Sequence, residues 1–161
     1  MQLIKDGKIA QDDWIHLTDE EALPPGGYYT VSLARWQRER DELLAKSQPL
    51  GLRVRGEDPV SLFASDLSAL ALICIEIPTM TDGRGFSLAR QLRDHYGYGG
   101  EIRVRGDFIR DQLFFFSRVG VNAFECGPGQ DLEALLPALQ EFTVKYQAGA
   151  DEKQPLYRRR H

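Results

Sequence analysis

Apolar and polar residues fall in short blocks along this chain, and the period of the blocks switches between two and about 3.6. Residues 2–10 hold two brief alternations on either side of Asp6-Gly7. That dipeptide supplies the positive φ angles of a type I′ turn, so a β-hairpin is expected there. Residues 13–17 read as another short strand, and Pro24, Pro25, Gly26 and Gly27 form a loop that sets this N-terminal piece apart. After Ser32, the residues Leu33, Trp36, Leu43 and Leu44 share one helical face to about Lys46, and Pro49 ends the helix.

From there the pattern repeats. Strands are expected at 50–54, 70–77, 101–105 and 121–126, alternating with helical segments at 59–68, 86–96, 108–119 and 132–146. The run at 70–77 is the most apolar, as suits the middle of a parallel sheet. Gly97 and Gly120 stop two of the helices, Asp131 caps the last at its start, and Pro137 sits awkwardly inside it. Four alternations with short connections predict an α/β fold: an open parallel sheet with flanking helices, preceded by the hairpin. A flavodoxin-like sheet and a half-barrel that dimerises both satisfy the pattern. Residues 1–150 read as one domain, with 1–27 its hairpin and loop, and 151–161 as a polar, basic, mobile tail.

Composition narrows the function classes. The chain has 161 residues and a formal net charge of -4, which gives no electrostatic reason to expect nucleic acid. Its apolar runs are too short to span a bilayer and its first residues do not resemble a signal peptide, so a cytoplasmic location is expected. Cys74 and Cys126 lie in apolar segments without CxxC or Cys/His spacing, so they read as buried free thiols. His16, His95 and His161 are dispersed, and no metal or cofactor is expected from the spacing. The serines lack a histidine partner, and neither a Walker A loop nor a GxGxxG fingerprint is present, so no catalytic residue stands out.

Ligands of open parallel sheets bind beyond the carboxyl ends of the strands. There the densest run supplies Asp82, Gly83, Arg84, Gly85 and Ser87, and the neighbouring loop adds Arg105, Asp107, Arg110 and Asp111. The glycines allow close approach of a ligand, Ser87 is placed to cap the helix, and the arginines suit an anion. A helix end contributes only about 0.3–1 kcal/mol to holding an anion. Even millimolar affinity needs about 4 kcal/mol, so the arginines decide the matter. A salt-bridge and capping network that rigidifies the loops is the competing reading, because Asp82, Asp107 and Asp111 compete for those arginines. On the helix at 108–119, Leu113, Phe115, Phe116 and Val119 share the apolar face, which leaves Phe114 on the other side near Arg118. Phe114, Arg118 and the tail arginines Arg158, Arg159 and Arg160 are therefore the candidate interface residues, against the plainer reading of a solvated surface.

The segments Thr81-Asp-Gly-Arg-Gly-Phe-Ser-Leu-Ala-Arg90, Gly97-Tyr-Gly-Gly-Glu-Ile-Arg103 and Gly106-Asp-Phe-Ile-Arg-Asp-Gln-Leu113 closely resemble the bacterial domain of unknown function family 934. The Asp6-Gly7 hairpin with Trp14, the Asn122-Ala-Phe124 strand and the ending Pro155-Leu-Tyr-Arg-Arg159 are similar to it as well. Ile77-Pro-Thr-Met80 departs from the aromatic residues that the family tends to carry around the proline. The family is often labelled an oxidoreductase involved in sulfite reduction, and it has no established catalytic residues to carry over. The resemblance implies an accessory, non-catalytic protein of assimilatory sulfite reduction whose partner is the sulfite reductase haemoprotein. A homodimer is a further partner expectation. The alternative is a small oxyanion- or phosphate-binding enzyme or sensor that uses the loops at the strands' carboxyl ends.

Overall fold

The computed structural model describes residues 2–46, 48–79, 83–106, 108, 110–127 and 129–140. Strands β1 (Gln2–Lys5) and β2 (Lys8–Gln11) pair antiparallel across Asp6 at φ 53° and Gly7 at φ 77°, the left-handed pair expected of the hairpin. Then come β3 (Trp14–His16), β4 (Tyr28–Ser32), α1 (Leu33–Ala45), β5 (Leu50–Arg55), β6 (Leu72–Ile77) and α2 (Arg84–Arg90). The last elements are β7 (Glu101–Gly106), α3 (Arg110–Arg118), β8 (Ala123–Glu125) and α4 (Leu132–Gln140).

The described strands form one eight-stranded sheet in the order β2-β1-β8-β7-β6-β5-β4-β3. Strands β3 to β8 run parallel, each beside its successor in sequence, and β1 joins β8 antiparallel. This consecutive order decides between the two expected architectures. Every crossover steps the same way, so crossovers of one hand place all helices on one face and the sheet curls as a half-barrel. A flavodoxin-like sheet would reverse its strand order part-way.

Strand alternation divides the side chains between two interiors. Ile4, Tyr29, Val31, Leu52, Val54, Ile73, Ile75, Ile102, Val104 and Phe124 point to the helices and join one apolar core with Trp36, Leu43, Leu88, Leu113, Phe116 and Leu135. Helix α1 begins on Ser32, whose hydroxyl accepts from Arg35 N at 3.1 Å, and its Trp36 donates from Nε1 to Asp66 at 3.1 Å. Asp66 also takes Arg40 at 2.6 and 2.8 Å, which fixes the segment before β6 to α1.

Several local expectations change. Residues 59–68 form two stretches of 3₁₀ helix, Val60–Leu62 and Ala64–Ala69, instead of one α-helix. Ser87 is not a cap: α2 starts earlier, at Arg84 behind Gly83, and Ser87 lies exposed within it. Pro137 lies inside α4, and Asp131 caps that helix by accepting from Glu133 N at 3.1 Å and Ala134 N at 3.3 Å. Phe114 is buried at 7% exposure, while Phe115 is 58% exposed. The reason is that α3 packs against α2 on one side and α4 on the other, so its covered arc is wider than one face and rotated toward Phe114. No helix among the described residues is long and apolar enough to cross a membrane.

Candidate functional site

The concave face of the sheet carries charge where the convex face carries the apolar core. Its side chains fall into three rows set by the strand register. The first row is His16, Thr30, Gly51, Leu72 and Glu101. The second is Ser32, Arg53, Cys74, Arg103, Ala123 and Lys5. The third, at the carboxyl ends of the parallel strands, is Arg55, Glu76, Arg105 and Glu125. A flat sheet would hold β3 and β8, five places apart, at about 24 Å. Yet His16 on β3 meets Glu125 on β8, Nε2 to Oε2, at 2.8 Å. The sheet therefore curls until its polar face encloses itself. Gly51 gives the room: a Cβ there would stand 2.8 Å from Thr30 and 3.2 Å from the Trp14 ring.

Arg103, 1% exposed, is the hub. Its Nε donates to Glu101 at 2.8 Å, and its Nη1 to Asp12 at 3.0 Å and Glu125 at 3.3 Å. Lys5 pairs with Glu101 at 2.9 Å. Arg105 faces Glu76 at 3.5 Å and Glu125 at 3.8 Å. Arg53 makes no ion pair among the described residues; its Nη1 donates to the Thr30 carbonyl at 2.9 Å and the Thr30 hydroxyl at 2.6 Å. That same hydroxyl lies 2.7 Å from His16 Nδ1. Four cations (Lys5, Arg53, Arg103, Arg105) thus share this face with four carboxylates (Asp12, Glu76, Glu101, Glu125), and a fifth, the exposed Arg55, lies at its rim.

The titration behaviour follows from these neighbours. Burial pushes the Glu125 carboxyl up, but the His16 hydrogen bond and the Arg103 and Arg105 charges outweigh it and hold it below the usual value. Burial alone would lower Arg103, yet Glu101, Asp12 and Glu125 raise it above its ordinary value. Burial pulls Arg53 down, with Glu76 nearby opposing. Burial also pushes the Cys74 thiol well up and the Cys126 thiol to about 11. Both cysteines are free, and neither is activated as a nucleophile. The donor atoms of His16, Cys74 and Glu125 all lie within 4.8 Å of one another, a set able to hold a metal ion.

At the carboxyl ends of β5 to β7 a cavity of about 300 Å³ is lined by Arg55, Glu76, Ile77, Pro78, Arg105 and Gly106. A second, of about 210 Å³, lies on the helix side between Phe108, Arg110, Leu113, Cys126 and Leu135. The candidates drawn from the sequence are divided among these neighbourhoods. Arg105 belongs to the concave network. Arg84 faces Glu57 at 3.6 Å at the start of α2, where Gly85 is buried against Ile77 and Gly83 is exposed. Arg110 faces the exposed Asp111 at 3.8 Å at the start of α3. Arg118 lies over the Phe114 ring at 6.0 Å, inside the fold's edge instead of at a free aromatic anchor. Asp82, Asp107, Arg158, Arg159 and Arg160 lie outside the described residues. Sequence reasoning missed Asp12, His16, Thr30, Arg53, Cys74, Arg103 and Glu125 as a group. The available signal was the strict alternation Glu101-Ile-Arg-Val-Arg105, which aims three charges at one face of a central strand.

Residues 51–157, about two thirds of the chain, match the family described as bacterial protein of unknown function (DUF934). The chain belongs to that family. No curated protein matches it. Within the DUF934 span lie Arg53, Cys74, Glu76, Arg103, Arg105 and Glu125. Lys5, Asp12, His16 and Thr30, which close the interior from the other side, precede it.

Proposed function

We propose that this DUF934 protein is an accessory, non-catalytic protein of assimilatory sulfite reduction that acts with the sulfite reductase haemoprotein in the cytoplasm. The pathway comes from the resemblance drawn on Thr81 to Leu113. The observation that supports an accessory role is the condition of the buried polar groups. The concave carboxylates are engaged by Arg103, Arg105 and Lys5, Arg53 is spent on Thr30, and both thiols are held protonated. Groups spent in this way shape the fold, and none of them is primed as a nucleophile or general base. The test is recovery of the reductase with the tagged full-length protein at low salt and near-physiological concentration. Retention that weakens as salt rises is expected of a charged contact. Failure to retain the reductase at low salt overturns the reading.

A specific observation favours one alternative, a small oxyanion or phosphate site. Arg55 and Arg105 share the cavity at the carboxyl ends of the strands, where parallel sheets bind ligands. Charge-assisted hydrogen bonds contribute about 1.5–3 kcal/mol each, so two arginines reach the roughly 4 kcal/mol of millimolar binding, with Glu76 opposing. Calorimetry with sulfite, sulfate and phosphate tests it: heat that disappears in Arg55→Ala supports the site, and no heat with any of the three removes it.

A further inference from the structure

His16 ends β3, Cys74 lies in the middle of β6 and Glu125 ends β8, and the curl of the sheet brings these three together over large separations in sequence. The donor set is one imidazole nitrogen, one sulfur and one carboxylate oxygen, mutually within 4.8 Å. We propose that His16, Cys74 and Glu125 form a binding site for a divalent transition-metal ion of the zinc type, with a fourth position left for water or an anion.

The geometry is close to what such an ion requires. Donors about 2.0–2.3 Å from a tetrahedral ion stand roughly 3.3–3.5 Å from one another. The separations to the shared carboxylate oxygen bracket that range: His16 Nε2 to Glu125 Oε2 is 2.8 Å, and Cys74 Sγ to Glu125 Oε2 is 3.9 Å. The third separation, His16 to Cys74, is within 4.8 Å, so the imidazole and the thiol close on the ion as it binds. The supporting contacts are in place. Thr30 Oγ1 lies 2.7 Å from His16 Nδ1, so with the ion on Nε2 the ring proton sits on Nδ1 and is donated to that hydroxyl. Arg103 Nη1 donates to the same Glu125 Oε2 at 3.3 Å and Arg105 faces the other carboxylate oxygen, Oε1, at 3.8 Å, so the two guanidiniums fix the orientation of this carboxylate. Sulfur together with imidazole selects zinc-like ions over magnesium or calcium, which take oxygen.

Charge balance sets the chemistry of binding. The ion displaces the thiol proton, so Cys–SH and M²⁺ give a metal-bound thiolate and one proton released to solvent. The ion brings two positive charges and one proton leaves, so binding adds one positive charge to the concave interior. An anion in the fourth position offsets that charge. The buried polar groups already hydrogen-bond one another without the ion, so the interior folds without metal, unlike zinc fingers, which fold only when loaded.

Cobalt(II) is the probe. Titration of the metal-free full-length protein is expected to give a thiolate-to-cobalt charge-transfer band that saturates at one ion per chain, with release of about one proton and displacement by zinc. Cys74→Ala loses the band, His16→Gln weakens cobalt binding about tenfold or more, and Cys126→Ala leaves both unchanged. X-ray absorption of the zinc-loaded unaltered protein, which does not depend on any variant folding, is expected to show one sulfur neighbour. No band in the unaltered protein, a band that survives Cys74→Ala, or a zinc shell without sulfur overturns the site.

Discussion

Arg103→Met removes a guanidinium from the most enclosed part of the concave face while keeping an unbranched side chain of similar reach. Three carboxylates lose a donor: Glu101 at 2.8 Å, Asp12 at 3.0 Å and Glu125 at 3.3 Å. Glu101 retains Lys5 and Glu125 retains His16 and Arg105, but among the described residues Asp12 keeps only the Trp14 amide at 3.0 Å. Breaking a buried ion pair by deleting one partner costs about 3–5 kcal/mol, because the other charge stays buried. That is a large share of the roughly 5–15 kcal/mol that holds a domain folded. At this chain length each kcal/mol lowers the midpoint by about 2–4 °C, so a fall of roughly 6–20 °C is expected. The deficit also has a sign with pH. Protonation relieves the uncompensated negative charge, so the gap to the unaltered protein narrows as pH falls from 7. Urea unfolding followed by fluorescence of Trp14 and Trp36 at several pH values measures both effects. A loss below about 1 kcal/mol, the scale of an exposed ion pair, refutes the view that this network holds the curl together. So does a gap that does not narrow on acidification.

Four further outcomes follow from local environments. Burial opposes the effect of its partners, but the Arg40 hydrogen bond, the largest influence, and that of Trp36 hold the Asp66 carboxyl below its usual value. Its stabilisation is therefore full above the unfolded value of about 3.9 and is lost as pH falls through the lower folded value. Asp66→Asn should be less stable at pH 7, and acid titration of Trp36 fluorescence should show the difference vanish at low pH; a constant difference contradicts the pairing. Asp66→Ala leaves the buried Trp36 Nε1–H without its acceptor, and denaturant midpoints should report a loss of about 1–3 kcal/mol. Gly106 sits at φ +116° with a virtual Cβ 2.3 Å from the Ile77 carbonyl, so Gly106→Ala should cost at least about 1–3 kcal/mol by calorimetry. In the native protein a thiol reagent should label Cys126, 9% exposed, before Cys74, fully buried, and label both rapidly only on unfolding; early labelling of Cys74 contradicts the closed interior.

The parts of the fold legible in the sequence are those decided locally. Asp6-Gly7 dictates its own turn, Ser32 and Asp131 cap the helices they precede, and the apolar run of β6 belongs inside a sheet wherever it occurs. Strand β4 was not legible, because Tyr28–Ser32 gains its extended form from β3 and β5 on either side and runs directly into α1. Phe114 was misplaced because a helical wheel finds one face, whereas α3 is covered from two directions. The concave site was half legible. The alternation in β7 marks a charged face, but the meeting of His16 with Glu125, 109 positions apart, depends on the curl of six parallel strands. No spacing rule carries that information, and the same holds for Asp12 with Arg103, 91 positions apart.

The most direct test of the functional account is growth of a deletion strain on sulfate, sulfite, sulfide or cysteine as the only sulfur source. The account predicts failure on sulfate and sulfite with full rescue by sulfide and by cysteine, which places the protein at the sulfite reduction step. Normal growth on all four sources contradicts it.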